Sequence, residues 1–137
     1  MKKRAVRWIA VLVVLALAIA PMTAFAAEPR ASAYIDTTTV GIERVSNGVK
    51  VGFTIAATGT MSNVGVTTIQ IYTAGGDFAK GFYYSTTSGM MGYNRVFYGN
   101  SITWTGADSG TRYYAVVTFK ASNSSGSDTH TMITGYA

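Results

Sequence analysis

Between residues 49 and 58 the chain alternates. Val49, Val51, Phe53, Ile55 and Ala57 are apolar, and Lys50, Gly52, Thr54, Ala56 and Thr58 stand between them. Successive side chains of a strand point to opposite faces, so the pattern predicts a half-buried β-strand. Residues 112–122 behave alike: Tyr113, Ala115, Val117, Phe119 and Ala121 share one face, and Tyr114, Val116, Thr118, Lys120 and Ser122 give a mixed second face. Asn47-Gly48, between Arg44-Val45 and Val49-Lys50, is the strongest hairpin signal, because both residues tolerate positive φ. Gly75-Gly76-Asp77 and Ser124-Ser125-Gly126 mark two further turns. The remaining strands are predicted at about 33–45 (bent or broken near Gly41), 66–73 (anchored by Ile69 and Ile71), 79–86, 100–105 (Ile102 and Trp104 facing in) and 128–135. Seven short strands with no helical pattern between them predict an all-β domain over 33–137, a seven-stranded antiparallel β-sandwich.

The chain begins differently. Lys2, Lys3, Arg4 and Arg7 precede an unbroken apolar run, Trp8 to Ala20, of 13 residues. Pro21 breaks any helix there, and Ala24-Phe25-Ala26 supplies a small-x-small cleavage signature. Residues 1–26 therefore read as a signal peptide cleaved after Ala26, with 27–32 as a flexible lead-in. An uncleaved anchor over Trp8–Ala27 is the alternative, but 13 apolar residues fall short of the about 20 that a membrane span needs. No second apolar span follows, so the expectation is a secreted bacterial protein with no stable membrane anchor after cleavage.

Composition supports strands. From Ala27 onward there are 18 Thr, 15 Gly and 15 aromatic residues and no Leu, a mixture that suits pleated sheet better than helix. The chain has 0 Cys, which excludes a disulfide framework, a thiol nucleophile and a zinc–thiolate site, so packing alone must hold an exported fold. The net charge of +5 belongs mostly to the leader. Beyond residue 26 seven basic residues face six acidic ones, and this near-neutrality removes the main support for nucleic-acid binding.

Residues 106–128 resemble the penultimate strand, with its flanking turns, of immunoglobulin-like and fibronectin type III domains. Asp108-Ser109-Gly110 before Tyr113 is similar to the turn that precedes that strand in immunoglobulin domains, with one residue extra. Tyr113-x-Ala115 is similar to their Tyr-x-Cys, with Ala in place of Cys, and Ala121-x-Asn123-x-x-Gly126 is similar to the turn ending the equivalent fibronectin strand. No Cys bridge and no Trp in the third strand accompany these features. The whole chain also resembles short secreted proteins of Gram-positive bacteria whose role is unassigned. The resemblance implies a tyrosine corner, in which the Tyr113 hydroxyl bonds backbone near 107–110. Fold-level likeness implies no activity.

Candidate chemistry is sparse. His130 is the only histidine, it lies in a Thr-rich strand, and no Gly-x-Ser-x-Gly nucleophile elbow exists. The carboxylates Asp36, Glu43, Asp77, Asp108 and Asp128 are scattered singly, so no catalytic residue, metal site or cofactor is assigned. The informative feature is seven aromatics in the 23 residues 82–104. In one reading Phe82, Tyr84 and Trp104 fill the core, with Phe53 and Phe119, while Met90-Met91 close an open end. In the other, Tyr83, Tyr93, Tyr98, Met90 and Met91 form an exposed ligand-binding platform. Three functions follow in descending order: a secreted, non-catalytic binding or adhesion module for a cell-surface glycan or protein, an assembly subunit pairing through edge strands, and a small hydrolase.

Overall fold

One strand organises the domain. In the computed structural model, which describes residues 32–137, β2 (Gly48–Thr73) runs for 26 residues and pairs with four of the five other strands. β1 (Ile35–Val45) and β5 (Tyr113–Asn123) lie along one edge of β2, and β4 (Met91–Trp104) and β3 (Phe78–Tyr83) along the other. β6 (Gly126–Ile133) pairs with β5. Every pairing is antiparallel, and the sheet curls into a half-barrel with no helix among the described residues. The expected signal peptide, 1–26, and residues 27–31 lie outside the described residues.

The predicted seven-stranded sandwich is corrected to a single sheet of six strands. The strands expected at 49–58 and 66–73 are two halves of β2, and the strand expected at 100–105 is the end of the 14-residue β4. β1 is likewise unbroken at Gly41, and its irregularity falls between Ile35 and Thr37.

Burial along β2 explains how one strand serves both halves. Val49, Val51, Phe53, Ile55, Ala57 and Met61 are buried, then Val64 and Val66, then Ile69 and Ile71. The buried phase shifts from odd to even and back, and a period-2 strand achieves this only by gaining residues or coiling. Against β4, five steps from Ala56 to Met61 match only two from Phe97 to Arg95. Against β5, Val66 faces Phe119 and Thr68 faces Thr118, which leaves Thr67 as the extra residue of a bulge. Its hydroxyl donates to the Thr118 carbonyl at 3.2 Å. Bulges deepen the natural right-handed twist, so the sheet wraps its own apolar face.

The core is that concave face. Phe119, Ile69, Ile71, Val64 and Val117 are fully buried, with Phe53 3 % exposed. Among the described residues no buried side-chain polar atom lacks a hydrogen-bond partner. The β1–β2 hairpin turns at Ser46-Asn47, one residue earlier than the sequence suggests, because Val45 already pairs with Gly48. Gly48 must be glycine, since a Cβ there would lie 1.9 Å from the Trp104 carbonyl oxygen. Side chains close the seam between β1 and β6: Thr38 Oγ1 donates to Met132 Sδ at 2.8 Å. Beyond it, the Ser32 hydroxyl and the Tyr34 N–H (3.0 Å) both donate to Asp128 Oδ2. The Ser32 hydroxyl also accepts the N–H groups of Tyr34 at 3.1 Å and Ile35 at 2.8 Å.

Tyr113 is 2 % exposed, and its hydroxyl accepts the Asp108 N–H at 2.9 Å. Trp104 meets its ring edge-on at 5.3 Å and 82°, and the Arg44 guanidinium lies 5.5 Å from the ring centroid. Arg44 also donates to the Asp108 and Thr111 carbonyls, so one tyrosine and one arginine hold the loop before β5.

Two predictions follow from these contacts. Tyr113→Phe removes one hydrogen bond and is expected to lower unfolding free energy by about 1 kcal/mol in urea titration. Asp128 has its carboxyl held below its ordinary 3.8 by the Ser32 hydroxyl and then the Tyr34 N–H. A depressed carboxylate stabilises the fold above its unfolded pKa, and that contribution is lost as pH falls through the folded value. The melting temperature is therefore expected to drop below pH 3.8 through this group, and Asp128→Asn is expected to flatten that part of the pH profile.

Candidate functional site

A strand with one face in the core shows the other to solvent, and β2 and β5 show an aromatic row there. Tyr72 pairs in register with Tyr114 on one side and Phe78 on the other. The Tyr72 and Tyr114 rings are stacked, with centroids 5.4 Å apart and planes at 16°. Phe78 stands at 77° to Tyr72, 5.7 Å away, and Tyr136 at 79° to Tyr114, also 5.7 Å away. Tyr136 reaches this position because the segment after β6 keeps pairing with β5: the N–H groups of Tyr113 and Ala137 donate to each other's carbonyls at 2.8 and 2.9 Å. The row extends past Phe78. A Cβ built on Gly81 would lie 3.3 Å from Phe78 Cζ and 3.1 Å from the Tyr83 hydroxyl, so both rings lean over the missing side chain.

The row is open to solvent at its ends and half-buried in the middle. Phe78 is 57 % exposed, Tyr136 55 % and Tyr83 44 %, and nearby Ile133 on β6 is 66 % exposed. An exposed cluster of large apolar residues rimmed by polar groups marks an interaction surface. The rim here is Gln70, whose side-chain oxygen accepts the Tyr72 hydroxyl at 3.3 Å, and Arg112, whose guanidinium lies 5.2 Å from the Tyr136 centroid.

The predicted platform is not assembled as one surface. Tyr83 joins the row just described. Tyr93 is exposed on β4, beside the positive-φ residue Asn94. Tyr98 is half-buried and turns to the core side, tilted on Phe53 at 6.2 Å with the Arg95 guanidinium 5.6 Å from its centroid. Met90 and Met91 are 0 % and 9 % exposed, so they lie off the exposed surface, as in the reading in which they close an end of the fold. The Met90 carbonyl accepts the Val66 N–H at 2.8 Å, which draws the pair against β2. Of the expected core aromatics, Phe53 and Phe119 are buried, Phe82 and Trp104 pack against the core, and Tyr84 is exposed. Tyr72, Tyr114, Phe78 and Tyr136 were not singled out by the sequence, although Tyr72 and Tyr114 each occupy the alternate positions of a strand with an apolar opposite face.

A second concavity lies on the outer side of β1, β2 and β4. Its floor is the cross-strand row Gly41, Gly52 and Ser101, and its ends are Thr39 with Thr54 and the Glu43–Lys50 ion pair at 2.6 Å. A Cβ built on Gly41 or Gly52 would touch nothing within 4 Å, so the fold does not demand glycine at either position.

His130 sits half-buried on β6, opposite Phe119. Among the described residues no three of His, Asp and Glu converge as metal ligands. No family model, curated protein or solved structure matches this chain.

The stacked pair gives a quantitative test. Aromatic pairs contribute about 0.5–1.5 kcal/mol beyond the area they bury. A double-mutant cycle of Tyr72→Ala and Tyr114→Ala is expected to return a coupling energy in that range, and additive losses would mean that the rings do not interact.

Proposed function

We propose that this chain is an exported, non-catalytic binding module that presents an aromatic surface to a cell-surface protein or glycan. The observation carrying the reading is the solvent-facing row from Tyr83 through Phe78, Tyr72 and Tyr114 to Tyr136. Folding alone needs apolar side chains on the concave side, and leaving five aromatics on the convex side forfeits burial unless something covers them. The non-catalytic part of the reading rests on the sequence, in which the carboxylates are scattered singly and His130 is the only histidine. Export is inferred from the basic, apolar and Ala-x-Ala pattern of residues 1–26.

The runner-up is an assembly subunit that pairs through edge strands. It draws on β6, whose backbone ladder is with β5 alone and which carries Ile133, 66 % exposed, beside Thr129 and Thr131.

Binding of the labelled protein to intact cells tests the first reading. The double variant Tyr72→Ala, Tyr114→Ala is expected to lose most surface binding while keeping its β-sheet circular dichroism, and Tyr98→Ala is expected to retain it. Equal binding by the double variant would overturn the reading. Sedimentation separates the runner-up: a lone module stays monomeric as concentration rises, whereas edge pairing produces growing oligomers that a Thr131→Pro change on β6 would dissolve.

A further inference from the structure

The middle of the aromatic row, Tyr72 and Tyr114, differs from a sugar-stacking platform in ring orientation. A sugar ring lies flat on an exposed aromatic face. Tyr72 and Tyr114 instead face each other, with planes at 16° and centroids 5.4 Å apart. Each therefore gives a face to its neighbour, and the pair shows outward mainly ring edges and hydroxyls. Ring edges carry the positive end of the aromatic quadrupole. Tyr136, at one end, has the Arg112 guanidinium over its ring, 5.2 Å from the centroid.

Charge on the same side points the same way. The outward positions of β5 carry Tyr114, Val116, Thr118 and Lys120, and Arg112 stands exposed just before the strand. The outward positions of β6, Thr129, Thr131 and Ile133, add no charge, and the outward Thr68 and Gln70 of β2 add none. The nearby carboxylate Asp77 sits in the turn at the Phe78 end, and its N–H is taken up by Thr73 Oγ1 at 3.1 Å. The face thus combines tyrosine edges and hydroxyls, exposed apolar side chains and the two cations of the β5 side, with one exposed carboxylate, Asp77, at the Phe78 end.

Resting on the reading of the row as the binding surface, we infer that its occupant is an acidic protein segment whose carboxylates meet Arg112, Lys120 and the ring edges while its apolar side chains cover Phe78, Tyr136 and Ile133. Complementary charge at the rim steers encounter and fixes orientation, and the exposed apolar residues supply the area to be buried. Tyrosine suits such a surface because its large contact area is held by few rotatable bonds.

The test uses a synthetic peptide of alternating Glu and Leu, the same peptide with Lys in place of Glu, and a neutral β-glucan oligosaccharide. Each is titrated into the purified protein while backbone amide resonances are followed. The acidic peptide is expected to perturb Tyr72, Tyr114 and Lys120, to bind at least about tenfold more tightly than the Lys peptide, and to weaken as salt rises. Arg112→Glu with Lys120→Glu is expected to reduce that affinity by about tenfold or more. Perturbation of the row by the oligosaccharide and not by the acidic peptide overturns the inference, as does equal binding of the two peptides. The cell-binding assay separates the two levels. If Tyr72→Ala, Tyr114→Ala abolishes surface binding and the charge reversals leave it intact, the inference falls and the aromatic surface stands. If neither changes it, both fall.

Discussion

The domain depends on one strand keeping its apolar side chains on the inside of a curve. β2 is 26 residues long, and a strand of that length with strict alternation would present a twisted ribbon rather than a closed core. Its buried positions change phase between 61 and 64 and again between 66 and 69; the second change coincides with the Thr67 bulge against β5, and the extra residues against β4 lie just before the first, between Ala56 and Met61. Each half of β2 is then flanked by two strands, and the two halves cover a single core. With no cysteine in the chain, backbone ladders do the holding: four strands pair with β2 directly and β6 joins through β5.

The same curvature decides where function can reside. A half-barrel has one face that is dry and one that is wet, and the wet face takes whatever the alternation leaves over. On the β2–β5 half those leftovers are Tyr72 and Tyr114, flanked by Phe78 and Tyr136 from neighbouring segments. On the β1–β2 half they are small: Gly41, Gly52, Ser101 and threonines around a Glu43–Lys50 pair. One sheet therefore carries an aromatic, weakly cationic surface at one end and a shallow polar one at the other. The contrast arises because outward positions are free of the packing constraint that selects inward ones.

Much of the core was legible in the residues. Val49 to Ala57 and Tyr113 to Ala121 alternate so regularly that their inward faces follow from period 2, and all ten inward positions are buried. The turns at Gly75-Gly76 and Ser124-Ser125 carry their own local chemistry, and the structure turns at both. The continuity of β2 was not legible. Gly59, Ser62 and Asn63 have the composition of a loop, yet all three stay extended, and Asn63 pairs with Tyr93 of β4 on one side and Ser122 of β5 on the other. For the Met90-Met91 pair the residues left two readings open, a closed end and an exposed platform. Flanking glycines suggest an exposed loop, but the Val66 N–H and the adjacent core draw the pair inward.

The sequence alone determined the strand content, the inward faces of the two most regular strands and the absence of thiol chemistry, because each depends on residues close together in the chain. Tertiary structure alone decided that six strands share one curled sheet and that Tyr72, Tyr114, Phe78 and Tyr136 stand side by side. Those neighbours come from four segments, and what brings them together is hydrogen-bond register between strands, a non-local quantity set by bulges and by how the sheet closes. Density of aromatics along the chain pointed to 82–104, but proximity across strands placed the row elsewhere.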